Sequence, residues 1–237
     1  MAGSVEGLLR LIPKGEIVGR SLIDIGCGSG IHSVAAAKLG AAQIYAIDFD
    51  PRSVAAARTL LEKHVPNAEW RVESRDVFGL EPTSDGRFDV VYSWGVLHHT
   101  GDVNTALERA AAMTAEGGLF VFSLYRPTTL DWFWIREKRW YAQASRPAQK
   151  VALWLYVALF RLASWVTGRR GSIDQRGMEF RHDVNDWLGG YPYEAVSARD
   201  VRRIMSQLGF EEVKAIVKPG GFGLFGSGCD EYVFRRA

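Results

Sequence analysis

Cysteine is scarce in this sequence, and its scarcity excludes one class of protein. Only Cys27 and Cys229 occur among 237 residues, so a framework of disulfide bonds cannot hold the chain together. The amino terminus lacks a basic stretch followed by an apolar run, so we expect no signal peptide and a cytoplasmic location. Stability is therefore expected to come from a hydrophobic core.

Net charge is also low, at +2, and neither sign of charge dominates the whole chain. Hydrophobic residues make up 47% and charged residues 24%, values that exclude a disordered, collagen-like or coiled-coil protein. A length of 237 residues suits one domain with at most one inserted subdomain.

Residues 21–125 alternate between two hydrophobic periodicities. Short apolar runs predict buried strands, and longer patterns with a period near 3.6 predict helices. The predicted strands are 21–25, 43–47, 70–73, 88–92 and 119–123, and the predicted helices are 31–39, 51–64 and 102–114. Such alternation indicates an α/β fold built on a doubly wound, mostly parallel sheet.

The alternation resumes near the carboxyl end after a long interruption. Ser197 and Asp200 have the capping pattern of a helix over 198–208. Apolar runs at 211–217 and 229–235 then predict two strands that form an antiparallel hairpin. With these two strands the predicted sheet has seven.

The interruption, 126–196, differs in composition from the rest of the chain. Five of the eight tryptophans fall within 132–165, and residues 126–170 contain nine basic and two acidic side chains. That segment carries +7, so the remainder carries −5 to give the total of +2. We predict a ligand-binding core formed by 1–125 and 197–237, with 126–196 as an aromatic-rich helical lid on the carboxyl side of the sheet, where ligands bind in such folds.

A glycine-rich loop joins the first predicted strand to the first predicted helix. Its sequence is Asp24-Ile25-Gly26-Cys27-Gly28-Ser29-Gly30, and glycines at such a turn let the backbone come close to a ligand. The spacing is GxGxG, whereas nicotinamide dinucleotide sites carry GxGxxG. Asp24 would repel a pyrophosphate but can receive an ammonium group. The loop therefore disfavours a nicotinamide oxidoreductase and favours a ligand that carries an amino acid.

Further candidate ligand contacts follow the next predicted strands. Asp48 lies 20 residues after Gly28, where a carboxylate can accept hydrogen bonds from both hydroxyls of a ribose. Phe49 offers an apolar face to a base, and Asp76 can accept the exocyclic amine of adenine. The fourth strand leads into Ser93-Trp94-Gly95-Val96-Leu97-His98-His99.

These four motifs, in this order and spacing, resemble the class I S-adenosylmethionine-dependent methyltransferases, in the branch that includes small-molecule and quinone-biosynthesis enzymes. The resemblance covers about 20–125 and, in part, 198–235, and it implies a Rossmann-like fold with S-adenosyl-L-methionine as cofactor. It implies that Asp48 holds the ribose, that Asp76 and Val77 hold adenine, and that Ser93 lies beside the methionine part. The full set of predicted cofactor-binding residues is Asp24, Gly26, Cys27, Gly28, Gly30, Asp48, Phe49, Asp76, Val77 and Ser93.

Three histidines are candidates for a general base. His98 and His99 lie just beyond the fourth strand, and the titration range of imidazole suits proton transfer. His182 lies in the insertion, four residues before Asp186, so the two would share one face of a helix. They are an acid–base pair, two metal ligands, or a helix cap with a solvated face. Because no third ligand is evident by spacing, we predict no metal.

The acceptor is expected to bind in the insertion, because the short segment before the first strand holds one short helix at most. The predicted acceptor contacts are Asp186, Trp187, Tyr191 and Tyr193. A predicted helix over 147–168 is apolar on nearly every face. Its apolar run, 151–166, has sixteen residues with an arginine inside and is shorter than the span of about 20 residues that crosses a bilayer. Three interpretations stay open: a lid buried on the sheet, a peripheral membrane contact, or a contact in a homodimer.

Nucleic acid is not an expected partner, because the cations of the insertion surround an apolar helix and do not form a basic stripe. A hydrophobic small-molecule or lipid-like acceptor accounts for both the aromatic and the basic character of this segment. We therefore predict methyl transfer from S-adenosylmethionine to such an acceptor, at oxygen. The alternatives are transfer of a group other than methyl and a non-catalytic cofactor-binding partner protein.

Overall fold

The structure, a computed structural model, describes residues 2–166, 188–219, 221–223 and 228–237. The strands are β1 (Ser21–Ile25), β2 (Gln43–Asp48), β3 (Glu69–Ser74), β4 (Phe88–Trp94), β5 (Thr114–Tyr125), β6 (Phe210–Ile216) and β7 (Cys229–Arg236). They form one seven-stranded sheet in the order β3–β2–β1–β4–β5–β7–β6. The first five strands are parallel, and β7 runs antiparallel to both β5 and β6. This topology confirms the predicted α/β fold and its antiparallel carboxyl-terminal hairpin.

Helices cover both faces of the sheet and the end of β5. They are α1 (Ala2–Leu11), α2 (Ile31–Lys38), α3 (Pro51–His64), α4 (Pro82–Asp85), α5 (Val103–Ala112), α6 (Asp131–Gln143), α7 (Arg146–Val166) and α8 (Ala198–Gln207). Short 3-10 turns lie at Lys14–Glu16, Val77–Gly79 and Leu97–His99.

Local capping explains where two of these helices begin. The Asp50 side chain accepts a hydrogen bond from the Arg52 amide at 3.0 Å, and Pro51 occupies the first position of α3. At the start of α8, the Ser197 hydroxyl accepts from the Asp200 amide at 3.1 Å. Both helices begin where the sequence predicts. The predicted helix 102–114, in contrast, ends at Ala112, because Thr114 already belongs to β5.

Alternation along the strands divides the core into two layers. On one face, Ile23, Ile25, Phe120 and Phe122 pack with α5 and α8. On the other face, a second set packs with α1 and α2, and it includes Leu22, Ile44, Val90 and Val121. Successive residues of one strand point to opposite faces, so a parallel strand covered by helices on both sides is apolar throughout.

The insertion begins directly after β5 and lies beside the carboxyl edge of the sheet. Helix α7 covers most of the predicted 147–168 helix, and Tyr141, Val157 and Leu188 form a small buried cluster within the insertion. A second small cluster joins Tyr125 of β5 to Trp134 and Tyr193. Among the helices of the described ranges, none has the length and apolar character needed to cross a bilayer.

Candidate active site

A cavity of about 460 Å³ opens at the carboxyl edge of the parallel strands. Its walls come from the ends of β1 and β2, from the turns that follow β3 and β4, and from the last part of the insertion. Residues from all of these elements line it, including Gly26, Asp48, Asp76, Val77, His99 and Tyr191. Parallel strands bring their carboxyl ends to one edge, and so side chains far apart in sequence meet there.

The glycines of the first loop have separate roles. Gly26 has a φ of +74°, and a Cβ there would lie 2.4 Å from the Val96 side chain, so only glycine lets the loop after β4 come this close. A Cβ on Gly30 would lie 2.9 Å from Ala57, which ties this position to the packing of α2 on α3. A Cβ on Gly28 would meet nothing within 4 Å, and so this glycine borders open space.

Backbone amides hold the Asp48 carboxylate in place at the end of β2. Its Oδ2 atom accepts from the Gly28 amide at 2.8 Å, and its Oδ1 atom accepts from the Asp50 amide at 2.9 Å. Each carboxylate oxygen retains a second lone pair. The carboxylate therefore lines the cavity in a fixed orientation and can accept further hydrogen bonds from a diol such as a ribose.

Asp76 and Val77 begin the 3-10 turn after β3, at the same end of the cavity. The Asp76 Oδ1 atom accepts from the Phe78 amide at 3.0 Å and orders this turn. Phe49 lines the cavity and leaves 77% of its surface exposed, so its ring offers an apolar face. Arg75 supports the turn from behind through a hydrogen bond to the Gly79 carbonyl oxygen at 2.9 Å.

Asp24 lies beneath the glycine loop as a buried acid. The Ser33 hydroxyl donates to its Oδ2 atom at 2.5 Å. Burial, together with the negative charge of Asp48, raises the pKa of Asp24 to about 6. Cys27 is buried beside it, and burial raises the pKa of its thiol far above the usual range, so it is a packing residue and not a thiolate.

Among the histidines that the structure describes, His99 is the one that lines the cavity. Its Nδ1 atom lies 2.7 Å from the Pro192 carbonyl oxygen, which can only accept a hydrogen bond. We therefore assign the proton to Nδ1 and the lone pair of the neutral ring to Nε2. Burial is the main cause that lowers the pKa of His99, and the positive charge of Lys138 lowers it further. The ring is thus a neutral base at pH 7.

His98 occupies a different environment although it is the next residue. Its side chain is completely buried, with its ring centre 3.9 Å from that of Tyr125 and 4.4 Å from that of His99. Burial holds the pKa of His98 well below its usual range. The sequence places both histidines at the catalytic edge; the structure corrects this for His98, because β5 covers its ring.

Ser93, predicted to lie beside the methionine part of the cofactor, is buried in the sheet. Its side chain is buried and its hydroxyl donates to the Ile25 carbonyl oxygen at 3.0 Å, which joins β4 to β1. It is not among the residues that line the cavity. Its side chain therefore supports the sheet beneath the cavity.

The segment 188–196 returns from the insertion and holds the loop after β4. The Glu194 amide donates to the His98 carbonyl oxygen at 3.0 Å, and the Glu194 carboxylate accepts from the amides of Gly101 and Val103 at 3.1 and 3.3 Å. A Cβ on Gly190 would lie 2.6 Å from the His99 ring. Sequence reasoning missed both Gly190 and Glu194, because no motif or spacing connects them to residues some 90 positions earlier.

The structure places the predicted acceptor residues in different positions. Tyr191 lines the cavity, whereas Tyr193 is buried, stacks on Tyr125 at 5.0 Å and donates to the Asp131 carboxylate at 3.2 Å. Tyr193 therefore supports the acceptor side from behind. The remaining predicted residues, His182, Asp186 and Trp187, lie outside the described residues. In the described ranges, no group of three or more potential ligands could hold a metal ion.

The fold and this cavity together define an α/β protein of the doubly wound type with a ligand-sized cavity at the carboxyl edge of its sheet. A family model described as "Methyltransferase domain" matches residues 4–215, which is most of the chain. The protein therefore belongs to the class I S-adenosylmethionine-dependent methyltransferase family, and S-adenosylmethionine is the cofactor of that family.

Two curated relatives with similar sequences carry the same name. The chain is 34% identical over 137 residues to the ubiquinone biosynthesis O-methyltransferase of Rhodopseudomonas palustris (strain BisB18), which covers 58% of this chain and 48% of that protein. It is 35% identical over 112 residues to the protein of the same name from Xanthomonas euvesicatoria pv. vesicatoria (strain 85-10), with 47% of this chain and 46% of that protein covered. The chain thus spans about half the length of the curated relatives it matches.

Solved structures share the fold at low sequence identity. An S-adenosylmethionine-dependent methyltransferase from Mesorhizobium loti has a TM-score of 0.61 at 19% identity, covering 99% of this chain and 98% of that one. Magnesium protoporphyrin IX methyltransferase from Synechocystis PCC 6803 with bound S-adenosylmethionine has a TM-score of 0.60 at 15% identity, covering 100% and 81%. At these identities the likeness establishes the fold alone.

Proposed function

We propose that this protein transfers the methyl group of S-adenosylmethionine to an oxygen atom of a hydrophobic small-molecule or lipid-like acceptor. One observation carries the proposal: a single cavity is lined by Asp48 and Asp76 on one side and by His99 and Tyr191 on the other. Methyl transfer from a sulfonium mainly requires donor and acceptor to be held at attack distance in a site that excludes water.

The residues of the cavity fit the cofactor. The Asp48 carboxylate, fixed by two amides, suits the two ribose hydroxyls, and the space beside Gly28 lets a ligand come close to the backbone. Asp24 is buried beneath the glycine loop and is not among the residues that line the cavity, but its negative charge is offered to an ammonium group, directly or through water. When bound, the cofactor supplies an electrophilic methyl group on a positively charged sulfur.

His99 is the proposed general base. Its Nε2 atom takes the proton of the acceptor hydroxyl, while the Pro192 carbonyl oxygen accepts the Nδ1 hydrogen and stabilises the imidazolium that forms. Because burial lowers the pKa of His99, the free base predominates at neutral pH and needs no prior deprotonation. Tyr191 and Pro192 add apolar surface at the acceptor side of the cavity.

The relatives' name supports oxygen as the methylated atom. Those proteins are named as O-methyltransferases of ubiquinone biosynthesis, and their similarity covers about half of this chain. A phenol with an apolar tail is an acceptor that fits both the relatives' name and the aromatic character of the insertion. Phenols also ionise more readily than alcohols, so a histidine base suffices.

A screen with methyl-labelled S-adenosylmethionine tests the proposal. The purified protein is incubated with phenols that carry or lack an apolar tail, with the matching anilines, and with a lipid extract of the host. We expect label in the tailed phenols, a product heavier by one CH₂ unit, and release of S-adenosylhomocysteine. A product of any other mass difference would favour transfer of a different group, and cofactor binding without turnover on any acceptor would favour a non-catalytic partner protein.

A further inference from the structure

Helix α7 presents an apolar stripe to solvent. Val151, Trp154, Leu155, Ala158 and Leu159 are all exposed, at the spacing i, i+3, i+4, i+7, i+8 that places residues on one face of a helix. Trp154 leaves 65% of its surface exposed. The opposite face of α7, in contrast, packs within the insertion through Val157. Both faces of α7 are therefore apolar. One packs within the insertion, and the other has no partner among the described residues.

Helix α6 adds exposed aromatic surface to the same insertion. Trp132, Phe133, Ile135 and Trp140 are exposed, whereas Trp134 and Tyr141 of the same helix are buried. The two helices contact each other through Trp134 and Tyr156, whose ring centres are 6.0 Å apart, so both sets of exposed apolar side chains belong to one packed unit. Exposed apolar side chains in such numbers mark interaction sites on soluble domains. We call the exposed residues of α6 and α7 the lid surface.

The exposed charges of α6 and of the described part of α7 all have one sign. Four exposed cations lie on or beside the lid surface: Arg136, Arg139, Arg146 and Lys150. Within 131–159, every residue of which the structure describes, the acids are Asp131 and Glu137, and both are half-buried. An exposed apolar face with tryptophan, bordered by cations and free of exposed acids, is complementary to the interface of a bilayer that contains anionic lipids.

We propose that the lid surface docks on an anionic lipid bilayer, with α7 lying in the interface and not crossing it. Binding at a bilayer interface has an apolar and an electrostatic contribution, and this surface can make both. Tryptophan and leucine enter the boundary of the acyl chains, while arginine and lysine pair with lipid phosphates. The proposal does not depend on the methyl-transfer reaction. It does place the lid, which borders the acceptor side of the cavity, next to a membrane from which a lipid-like acceptor could be taken.

Co-sedimentation of the full-length chain with vesicles tests the docking. We expect binding to phosphatidylcholine vesicles that contain phosphatidylglycerol, weaker binding without it, and a blue shift of tryptophan emission on binding. The double variant Trp154→Gln/Leu155→Gln is expected to lose binding to both kinds of vesicle. The double variant Arg139→Gln/Lys150→Gln is expected to lose about 25-fold for the anionic vesicles alone, at roughly fivefold for each cation.

Matched controls alter exposed residues of the same types on other elements. Val213→Gln changes an exposed apolar residue of β6, and Lys63→Gln changes an exposed cation of α3; both should bind vesicles as the unaltered chain does. All variants should retain cofactor affinity, which shows that they are folded.

Three results would overturn the proposal. The first is absence of binding to anionic vesicles, or binding that the lid variants leave unchanged. In the second, the unaltered chain self-associates and Trp154→Gln/Leu155→Gln abolishes that association without any vesicle binding, which assigns the surface to a second copy. In the third, neither the unaltered chain nor this variant binds vesicles, and the variant melts at a lower temperature, which assigns the surface to contacts within the chain itself.

Discussion

The Nδ1 atom of His99 lies 2.7 Å from the carbonyl oxygen of Pro192. This contact joins the loop after β4 to the end of the insertion, 93 positions along the chain. It sets the tautomer of the imidazole and directs the Nε2 lone pair away from Pro192. The contact adds to the hydrogen bonds by which Glu194 holds the same loop, and it is the one that fixes the His99 ring itself.

Substitution of this histidine should separate chemistry from cofactor binding. We expect His99→Ala to lower kcat by about 10²- to 10⁴-fold, the usual contribution of a general base. Affinity for S-adenosylmethionine, measured by calorimetry, should change little. The control is His98→Leu, since the buried His98 ring has no hydrogen-bond partner of good geometry among the described residues. Unchanged turnover in His99→Ala would mean that catalysis depends on positioning alone.

A single methyl group at Gly190 should disturb the base indirectly. A Cβ at this position would lie 2.6 Å from the His99 ring, so Gly190→Ala must displace the imidazole or the loop. We expect kcat to fall and the acidic limb of the pH–rate profile to move, with cofactor affinity retained. The matched control is Gly189→Ala, where nothing lies within 4 Å of the added Cβ. Equal activity of the two variants would contradict a positioning role for Gly190.

Loss of the Asp48 carboxylate should abolish cofactor binding. Its hydrogen bonds are made by a charged group, and such bonds contribute roughly 1.5–3 kcal/mol each. We therefore expect Asp48→Ala to weaken S-adenosylmethionine binding by about 100-fold or more in calorimetry. Asp50→Ala provides the comparison, because it removes the cap of α3 and an exposed contact with Arg52, and it should leave affinity for the cofactor little changed. An unaltered affinity in Asp48→Ala would refute the ribose assignment.

The buried Asp24 predicts opposite effects of pH on stability and on binding. Its pKa is about 6 in the folded chain and 3.8 in an ordinary environment, so the folded state binds this proton more tightly. The stability that the folded state gains by binding this proton is complete below pH 3.8 and is lost as the pH rises through about 6. Asp24→Asn should therefore raise the free energy of unfolding of the ligand-free chain at pH 7.5, by up to about 3 kcal/mol.

Cofactor binding should show the reverse dependence. The ammonium group needs the ionised carboxylate, so affinity is expected to fall as the pH drops below about 6. Asp24→Asn should bind more weakly and lose this pH dependence. Thermal melts and calorimetry at pH 5 and pH 7.5 measure the two effects. A variant that is no more stable than the unaltered chain at pH 7.5 would contradict the burial cost assigned to Asp24.

Several site residues could be predicted from the sequence because they lie at the ends of parallel strands. Asp48 and Asp76 directly follow apolar runs, and the carboxyl ends of parallel strands meet at one edge whatever the details of packing. The choice between His98 and His99 could not be predicted in this way. The two residues are adjacent in one 3-10 turn and both rings contact Tyr125, but tertiary packing buries His98 completely and leaves His99 at the cavity.

Local chemistry in the sequence therefore determined the sheet, the capped helices and the cofactor motifs, since each depends on neighbouring residues or on a repeated hydrophobic period. The tertiary structure decided what depends on contacts between distant segments. It buried Ser93 and His98, opened His99 to the cavity, and brought Gly190 against its ring. It also left one apolar face of α7 exposed, because burial of a helix that is apolar all round depends on the surface available beside it and not on its own sequence.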